Sequence, residues 1–157
     1  LHKEYRRQRQ MCIRDRRRNY QSLLIMKILV MGCSRLGVII IKDLIASGHE
    51  VTVIDSSEEN LRRLPETEPV TMLLGDGAVD DNLRWAGIEE AGAFLALGQG
   101  DAKNAFVAQK ALYRFRVPKV VCMITDPMRQ EMYKELGLNA LSPTKLISEM
   151  VIQALDV

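Results

Sequence analysis

Cysteine, histidine and aromatic residues are scarce in this 157-residue chain: three Cys, two His, one Trp, and 5% aromatic residues overall. Cys12, Cys33 and Cys122 are odd in number, form no C-x-x-C pair and have no histidine cluster beside them, since His2 and His49 are the only histidines. That usage excludes a disulfide scaffold, argues against structural zinc and suits a reducing cytosol. No apolar run approaches the ~20 residues needed to span a bilayer. There is no G-K-[ST] sequence and hence no P-loop. What is present is a chain with 47% hydrophobic residues, long enough for one domain that buries roughly two-thirds of its unfolded surface.

The net charge of +2 hides an asymmetry. Residues 1–25 hold eight Lys/Arg (Lys3, Arg6, Arg7, Arg9, Arg14, Arg16, Arg17, Arg18) against Glu4 and Asp15, a net +6; the rest holds 14 against 18, a net −4. A basic run of this kind meets nucleic acid or anionic lipid when aromatics interleave it or an apolar face accompanies it. Neither is present, so no nucleic-acid partner is expected. The stretch MCIRDR looks like translated adapter sequence, and MKILVMG from Met26 reads as a natural protein start. Residues 1–25 are therefore expected to be a disordered or adventitious leader without function, and residues 26–157 the domain.

From Met26 short apolar runs alternate with longer amphipathic segments. Buried-type strands are expected at 27–31, 50–55, 70–74, 93–97 and 119–123, with a short sixth at 139–142. In the first helix Leu36, Ile40, Ile41, Leu44 and Ile45 recur at helical spacing before Gly48 stops it. Ser56, with Glu59 three residues on, is expected to cap a second helix ended by Pro65. Helices are expected near 79–86 and 101–115, and Pro127 and Pro143 occupy first-turn positions after the caps Asp126 and Ser142. Strands alternating with helices require parallel pairing and right-handed crossovers. The expected fold is α/β: a Rossmann-type, doubly wound sheet of about six mostly parallel strands with helices on both faces.

The chemistry starts at the end of the first strand, where KILVM runs into GCSRLG. Gly32 permits a tight turn, Gly37 lets the helix pack close to the strand, and the helix start offers free N–H groups to a phosphate. The middle glycine of the usual fingerprint is Ser34, whose side chain enters the phosphate approach but whose hydroxyl can donate to it. Asp55 follows Gly32 by 23 positions, close to the ~20-residue spacing at which an acid meets the ribose hydroxyls of a dinucleotide. A carboxylate there disfavours NADP against NAD or an adenine nucleotide. GCSRLG is not a nucleophile elbow, which would need glycine at Leu36. Tyr113 and Tyr133 lack a lysine four residues on, so that dehydrogenase pair is absent. His49 is expected in a solvated loop at the opposite edge of the sheet, and Trp85 in packing.

The blocks MKILVMGCSRLG, HEVTVID, LLGD, LRWAGIEEAGAFLAL, QGDAKN and DPMRQEMYKELGLNALSPT together resemble the N-terminal nucleotide-binding domain (RCK/KTN, TrkA-N) of TrkA-type regulators of potassium transport, from Met26 to about Leu155. The resemblance implies a cytosolic, self-assembling domain that binds NAD(H) or ATP/ADP and gates a potassium channel or transporter in the membrane. Carried over by position, the phosphate loop falls on Gly32, Ser34, Arg35 and Gly37 with Leu36 between them, and the ribose acid on Asp55 followed by Ser56. Adenine-side contacts fall on Gly75 and Asp76, and a second phosphate-side loop on Gly98, Asp101 and Asn104. Two departures stand out: Ser34 replaces glycine, and Met123 replaces an arginine often found on the fifth strand, removing a phosphate partner. The C-terminal ligand-binding domain that often follows lies beyond the matched blocks, which fits either a single-domain form or a piece of a longer protein.

The expected function is thus a regulatory subunit, peripheral to the membrane through its transporter partner, with no catalytic residues and no metal. The rival from the enzyme class is a small NAD-dependent oxidoreductase. It needs a substrate-holding domain and a positioned acid or base near the nicotinamide, and no histidine or Tyr-Lys pair stands at the strand ends. Self-assembly is expected through the helix from Asp101, where Ala105, Ala108 and Leu112 form one apolar stripe and Phe106 and Tyr113 project from another face.

Overall fold

The computed structural model describes residues 25–155; residues 1–24 of the basic leader, the subject of the first domain expectation, lie outside them. Six strands run in one sheet: β1 (Lys27–Met31), β2 (Glu50–Asp55), β3 (Val70–Leu74), β4 (Ala93–Ala96), β5 (Lys119–Met123) and β6 (Ala140–Leu141). Their order is β3-β2-β1-β4-β5-β6, and every pairing is parallel. The connecting helices are α1 (Arg35–Ala46), α2 (Glu58–Leu61), α3 (Asp80–Trp85), α4 (Asp101–Gln109) and α5 (Pro127–Glu135), with α6 (Pro143–Ala154) last.

Alternation along the strands divides the core in two. Ile28, Val30, Val51 and Val53 point to one face, where they meet Ile41 of α1 and Leu61 of α2. Leu29, Met31, Ile54 and Phe94 point to the other, against Leu83 of α3, Val107 and Ala108 of α4, and Leu138 after α5. Right-handed crossovers place α1 and α2 on the first face and α3, α4 and α5 on the second, so the winding reverses between β1 and β4. The loops following those two strands therefore part at that point and leave a crevice.

Several local expectations are corrected. The cap of α2 is Ser57, whose hydroxyl accepts from Asn60 N–H at 3.3 Å. Ser56 is displaced from the role because Asp55 Oδ1 takes the Ser57 N–H at 2.8 Å and turns the chain one residue later. Trp85 does not pack: it is 67% exposed at the end of α3, which turns Leu83 and Ala86 inward instead. Leu36 is also exposed, on the first turn of α1 where the helix has not yet settled over the sheet. The helix expected over 101–115 is α-helical only to Gln109, and residues 110–114 form a π-helical turn in which Phe115 N–H reaches Lys110 O at 3.0 Å. His49 is half-buried at the amino edge of the sheet, where its Nδ1 accepts from Met26 N–H at 3.3 Å. Asp126 and Ser142 cap α5 and α6 as the sequence implies.

Candidate functional site

The crevice is built by glycines. Gly32 has φ +105°, which an L side chain rarely adopts, and a Cβ there would stand 2.5 Å from Gly98 N and 2.6 Å from Gly98 Cα. Backbone thus meets backbone where the loops after β1 and β4 touch. One turn into α1, a Cβ on Gly37 would lie 2.7 Å from Gly32 O; glycine there lets the helix start directly beneath the turn. Ser34 is the N-cap, its hydroxyl accepting from Gly37 N–H at 3.2 Å. The remaining first-turn amides open outward with the positive end of the helix dipole.

Asp55 closes one end of the crevice in a way its spacing alone does not disclose. It is 9% exposed. Its Oδ2 accepts from Cys33 N–H at 2.7 Å, its Oδ1 from Ser57 N–H at 2.8 Å, and Asn60 Nδ2 bridges both oxygens at 3.2 Å. The carboxylate thereby locks the glycine turn to the end of β2 while keeping one edge on the crevice. Gly75 N–H donates to Asp55 O at 2.9 Å and brings the β3 loop alongside.

Across the crevice, Asp76 Oδ1 accepts from Ala78 N–H and pairs with Lys103 Nζ, each at 2.8 Å. Lys103 and the Ala78 amide together hold the Asp76 carboxyl below the ordinary carboxylate range. Asn104 is buried, and its Nδ2 donates to Gly98 O and Met123 O, both at 2.9 Å, tying the ends of β4 and β5. Asp101 accepts from Thr125 N–H at 2.7 Å and Asp126 N–H at 3.1 Å. Burial opposes ionisation of Asp101, but those two amides, with the Thr125 hydroxyl and Arg129, together outweigh it and its acidity is increased.

A cleft of about 180 Å³ results. Of the twelve candidate residues, Gly32, Ser34, Asp55, Ser56, Gly75 and Gly98 line it. Arg35 and Leu36 have exposed side chains on the first turn of α1, so only their backbone faces the turn, while Gly37 lies beneath it. Asp76 stands behind Lys103 at the rim. Asp101 and Asn104 do not line the cleft: the Asp101 carboxylate and the Asn104 amide nitrogen fasten the loops after β4 and β5, while Asn104 Oδ1 is buried without a hydrogen-bond donor. Nor does Met123, whose side chain packs among the apolar residues of the α1 face. Ser57, Asn60, Gly77, Gln99 and Lys103 line the cleft without having been singled out in the sequence. Asn60 was the most legible of these, a polar residue five positions after Asp55. A larger hollow, about 350 Å³, lies at the amino ends of the strands among Lys27, Glu50, Thr52, Thr71 and Glu90. Open α/β sheets bind ligands at the carboxyl ends, so size does not decide in its favour.

The all-parallel sheet, the reversal between β1 and β4 and the glycine crevice at that reversal define a Rossmann-type domain. The family model described as TrkA-N domain matches residues 28–143. The chain belongs to the TrkA-N domain family. It is 38% identical over 130 residues to the Trk system potassium uptake protein TrkA of Streptomyces coelicolor, covering 83% of this chain and 58% of that protein. The chain thus spans little more than half the length of this relative. Among solved structures, the TrkA-N domain of the inner membrane protein ybaL from Escherichia coli superposes with a TM-score of 0.74 at 18% identity, covering 85% of this chain and 98% of that one. The GsuK channel bound to NAD superposes with a TM-score of 0.64 at 19% identity, over 77% of this chain and 22% of that one. GsuK bound to ADP gives 0.63 at 19% identity, over 78% and 32%. At these identities the structural likeness is one of fold.

Proposed function

We propose that this chain is a nucleotide-sensing regulatory domain for a potassium transporter or channel, binding NAD(H) or ATP/ADP in the cleft between the β1 and β4 loops. The observation that carries the reading is the crevice itself. Gly32 and Gly98 bring two loops into backbone contact, the first turn of α1 faces it with free amides, and Asp55 and Gly75 bound its other end. Phosphate belongs at the amides and the adenosine ribose at Asp55, whose negative charge favours NAD over NADP. Membership of a family whose Streptomyces relative is a potassium uptake protein supports the transport role, and GsuK structures holding NAD and ADP support the ligand class.

The domain acts without chemistry of its own. Among the described residues no histidine, cysteine or tyrosine lines the cleft, the Asp55 carboxylate is occupied by internal donors, and Lys103 is paired. Such groups hold a ligand rather than exchange protons with it. The domain works on the cytoplasmic side, held to the membrane by its transporter partner and assembled with copies of itself. Among the described residues no helix is long and apolar enough to cross a membrane. Differential scanning fluorimetry with NADH, NAD, ADP and ATP tests the reading. Ligand at about a hundred times its Kd stabilises the fold by about 2.7 kcal/mol, a rise of several degrees in Tm. Melting curves unmoved by millimolar concentrations of all four would overturn it.

A further inference from the structure

A cleft for a phosphorylated ligand is favoured by positive charge, and the turn residues that line it, Gly32 and Ser34, supply none from their side chains. Met123 is apolar and faces away, while the Arg35 side chain is exposed on α1 outside the lining. Among the described residues, Lys103 is the sole cationic side chain lining the cleft. It stands on the first turn of α4, directly after the Gly98–Gly100 loop that forms one wall. Its ammonium group is held at 2.8 Å by Asp76 Oδ1, and the two side chains are 39% and 47% exposed. Both partners thus keep contact with water, and a pair of this kind contributes at most about fivefold to an equilibrium constant. Asp76 has a second donor in the Ala78 amide and is not left bare if the lysine departs.

We propose that Lys103 is the phosphate-binding cation of this cleft, exchanging its internal partner Asp76 for a phosphate of the bound nucleotide. This rests on the nucleotide reading above and adds to it the residue that selects for phosphate. A phosphate offers more negative charge than a carboxylate and brings three acceptor oxygens, and the cleft walls screen it less than open water does. The exchange therefore runs toward the ligand. It also makes Asp76 a competitor of the ligand for Lys103, not a contact to it. The opposing signs expected for substitutions of the two residues distinguish this from a structural role for the pair, in which losing either partner does similar harm.

The test is calorimetric titration of the chain and of Lys103→Gln, Lys103→Arg and Asp76→Asn with adenosine, ADP and NADH. Lys103→Gln should weaken ADP about tenfold, the lower end of the range for a charge-assisted contact because the site is partly exposed, and leave adenosine unchanged. Lys103→Arg should retain ADP affinity. Asp76→Asn keeps an acceptor for Ala78 N–H and removes the competing charge, so ADP should bind up to about fivefold more tightly. ADP affinity unaltered in Lys103→Gln while the unaltered chain binds ADP would overturn the proposal and leave the nucleotide site standing. Equal weakening of ADP and adenosine, or of ADP by both Lys103→Gln and Asp76→Asn, would reduce Lys103 to a structural residue. Failure of the unaltered chain to bind ADP or NADH would remove the nucleotide reading and the proposal together.

Discussion

Replacing Asp55 by alanine should destabilise the domain even with no ligand present. The substitution strips the acceptor from three donors: Cys33 N–H at 2.7 Å, Ser57 N–H at 2.8 Å and the Asn60 amide at 3.2 Å. The Cys33 amide is the one fully buried, and an orphaned buried donor costs about 1–3 kcal/mol. Ser57 and Asn60 are closer to solvent and recover part of their loss from water, so the total comes to about 2–4 kcal/mol. For a domain of this size that is a fall in Tm of about 5–15 °C. Thermal and urea denaturation followed by circular dichroism would measure it, with Asp55→Asn alongside. Asparagine keeps one acceptor oxygen but turns its NH2 toward one of the same donors, so it should fall between alanine and the unaltered chain. A ligand-free Tm for Asp55→Ala within a degree of the unaltered chain would refute the argument that this carboxylate locks the glycine turn to β2. Nucleotide affinities of Asp55 variants have meaning only at temperatures where both proteins are folded, because part of any loss comes from the turn and not from the ribose.

Gly32→Ala forces a Cβ to within 2.5 Å of Gly98 N at a φ of +105°; it should cost about 2–4 kcal/mol by strain and overpacking and abolish nucleotide-induced thermal shifts. Asp101 ionises more readily folded than unfolded, so its contribution is present above the ordinary aspartate range and is lost as the pH falls through its lower folded value. Asp101→Asn should therefore lose about 1 kcal/mol at pH 7 and converge on the unaltered chain in urea denaturation as the pH falls below the ordinary aspartate range; a loss that stays constant with falling pH would count against the charge-assisted tie to Thr125 and Asp126. Phe106 and Tyr113 are 50% and 61% exposed on α4 and the turn that continues it, and light scattering at tens of micromolar should report an oligomer that Phe106→Glu weakens; a monomer in both would refute it. Deleting residues 1–25 should change neither the Tm nor nucleotide binding, and a loss of several degrees would show that they pack on the domain.

The frame of the fold was legible because it depends on repetition: apolar runs of strand length, helical spacing between them, and glycine where a strand becomes a helix. The crevice was legible for the same reason, since Gly32, Gly37 and Asp55 stand at fixed distances along one β-α-β unit. What escaped depends on competition between neighbours. Ser56 and Ser57 are equally good caps in isolation, and the Asp55 side chain decides between them by taking the Ser57 amide. Asp101 follows a strand end, where its carboxylate takes two amides of the loop after β5, and Asn104 Nδ2 is shared between Gly98 O and Met123 O, ties that no local pattern announces. Lys103 belongs to the cleft through a partner 27 positions away, and no local pattern announces a pairing between α4 and the loop after β3. Trp85 was misplaced because α3 is only six residues long, too short for its apolar pattern to decide which side chains turn inward.

The wide turn at 110–114 makes this stretch sensitive to length in a way the rest of the domain is not. A π-helical turn holds one residue more than the α-helix that would otherwise continue, and each helical residue turns the chain by about 100°. Here the phase it sets lets Lys110 and Arg114 both reach Asp80 on α3, and lets Tyr113 Oη donate to Leu136 O at 3.0 Å. Deleting a single residue between Lys110 and Arg114 would restore a regular helix and swing the following side chains a quarter-turn or more around its axis. The ties of Arg114 to Asp80 on α3 and of Tyr113 to the end of α5 would come undone. A change of one residue in length there acts as a rotation, and it redraws the surface offered to a neighbouring molecule without altering what that surface is made of.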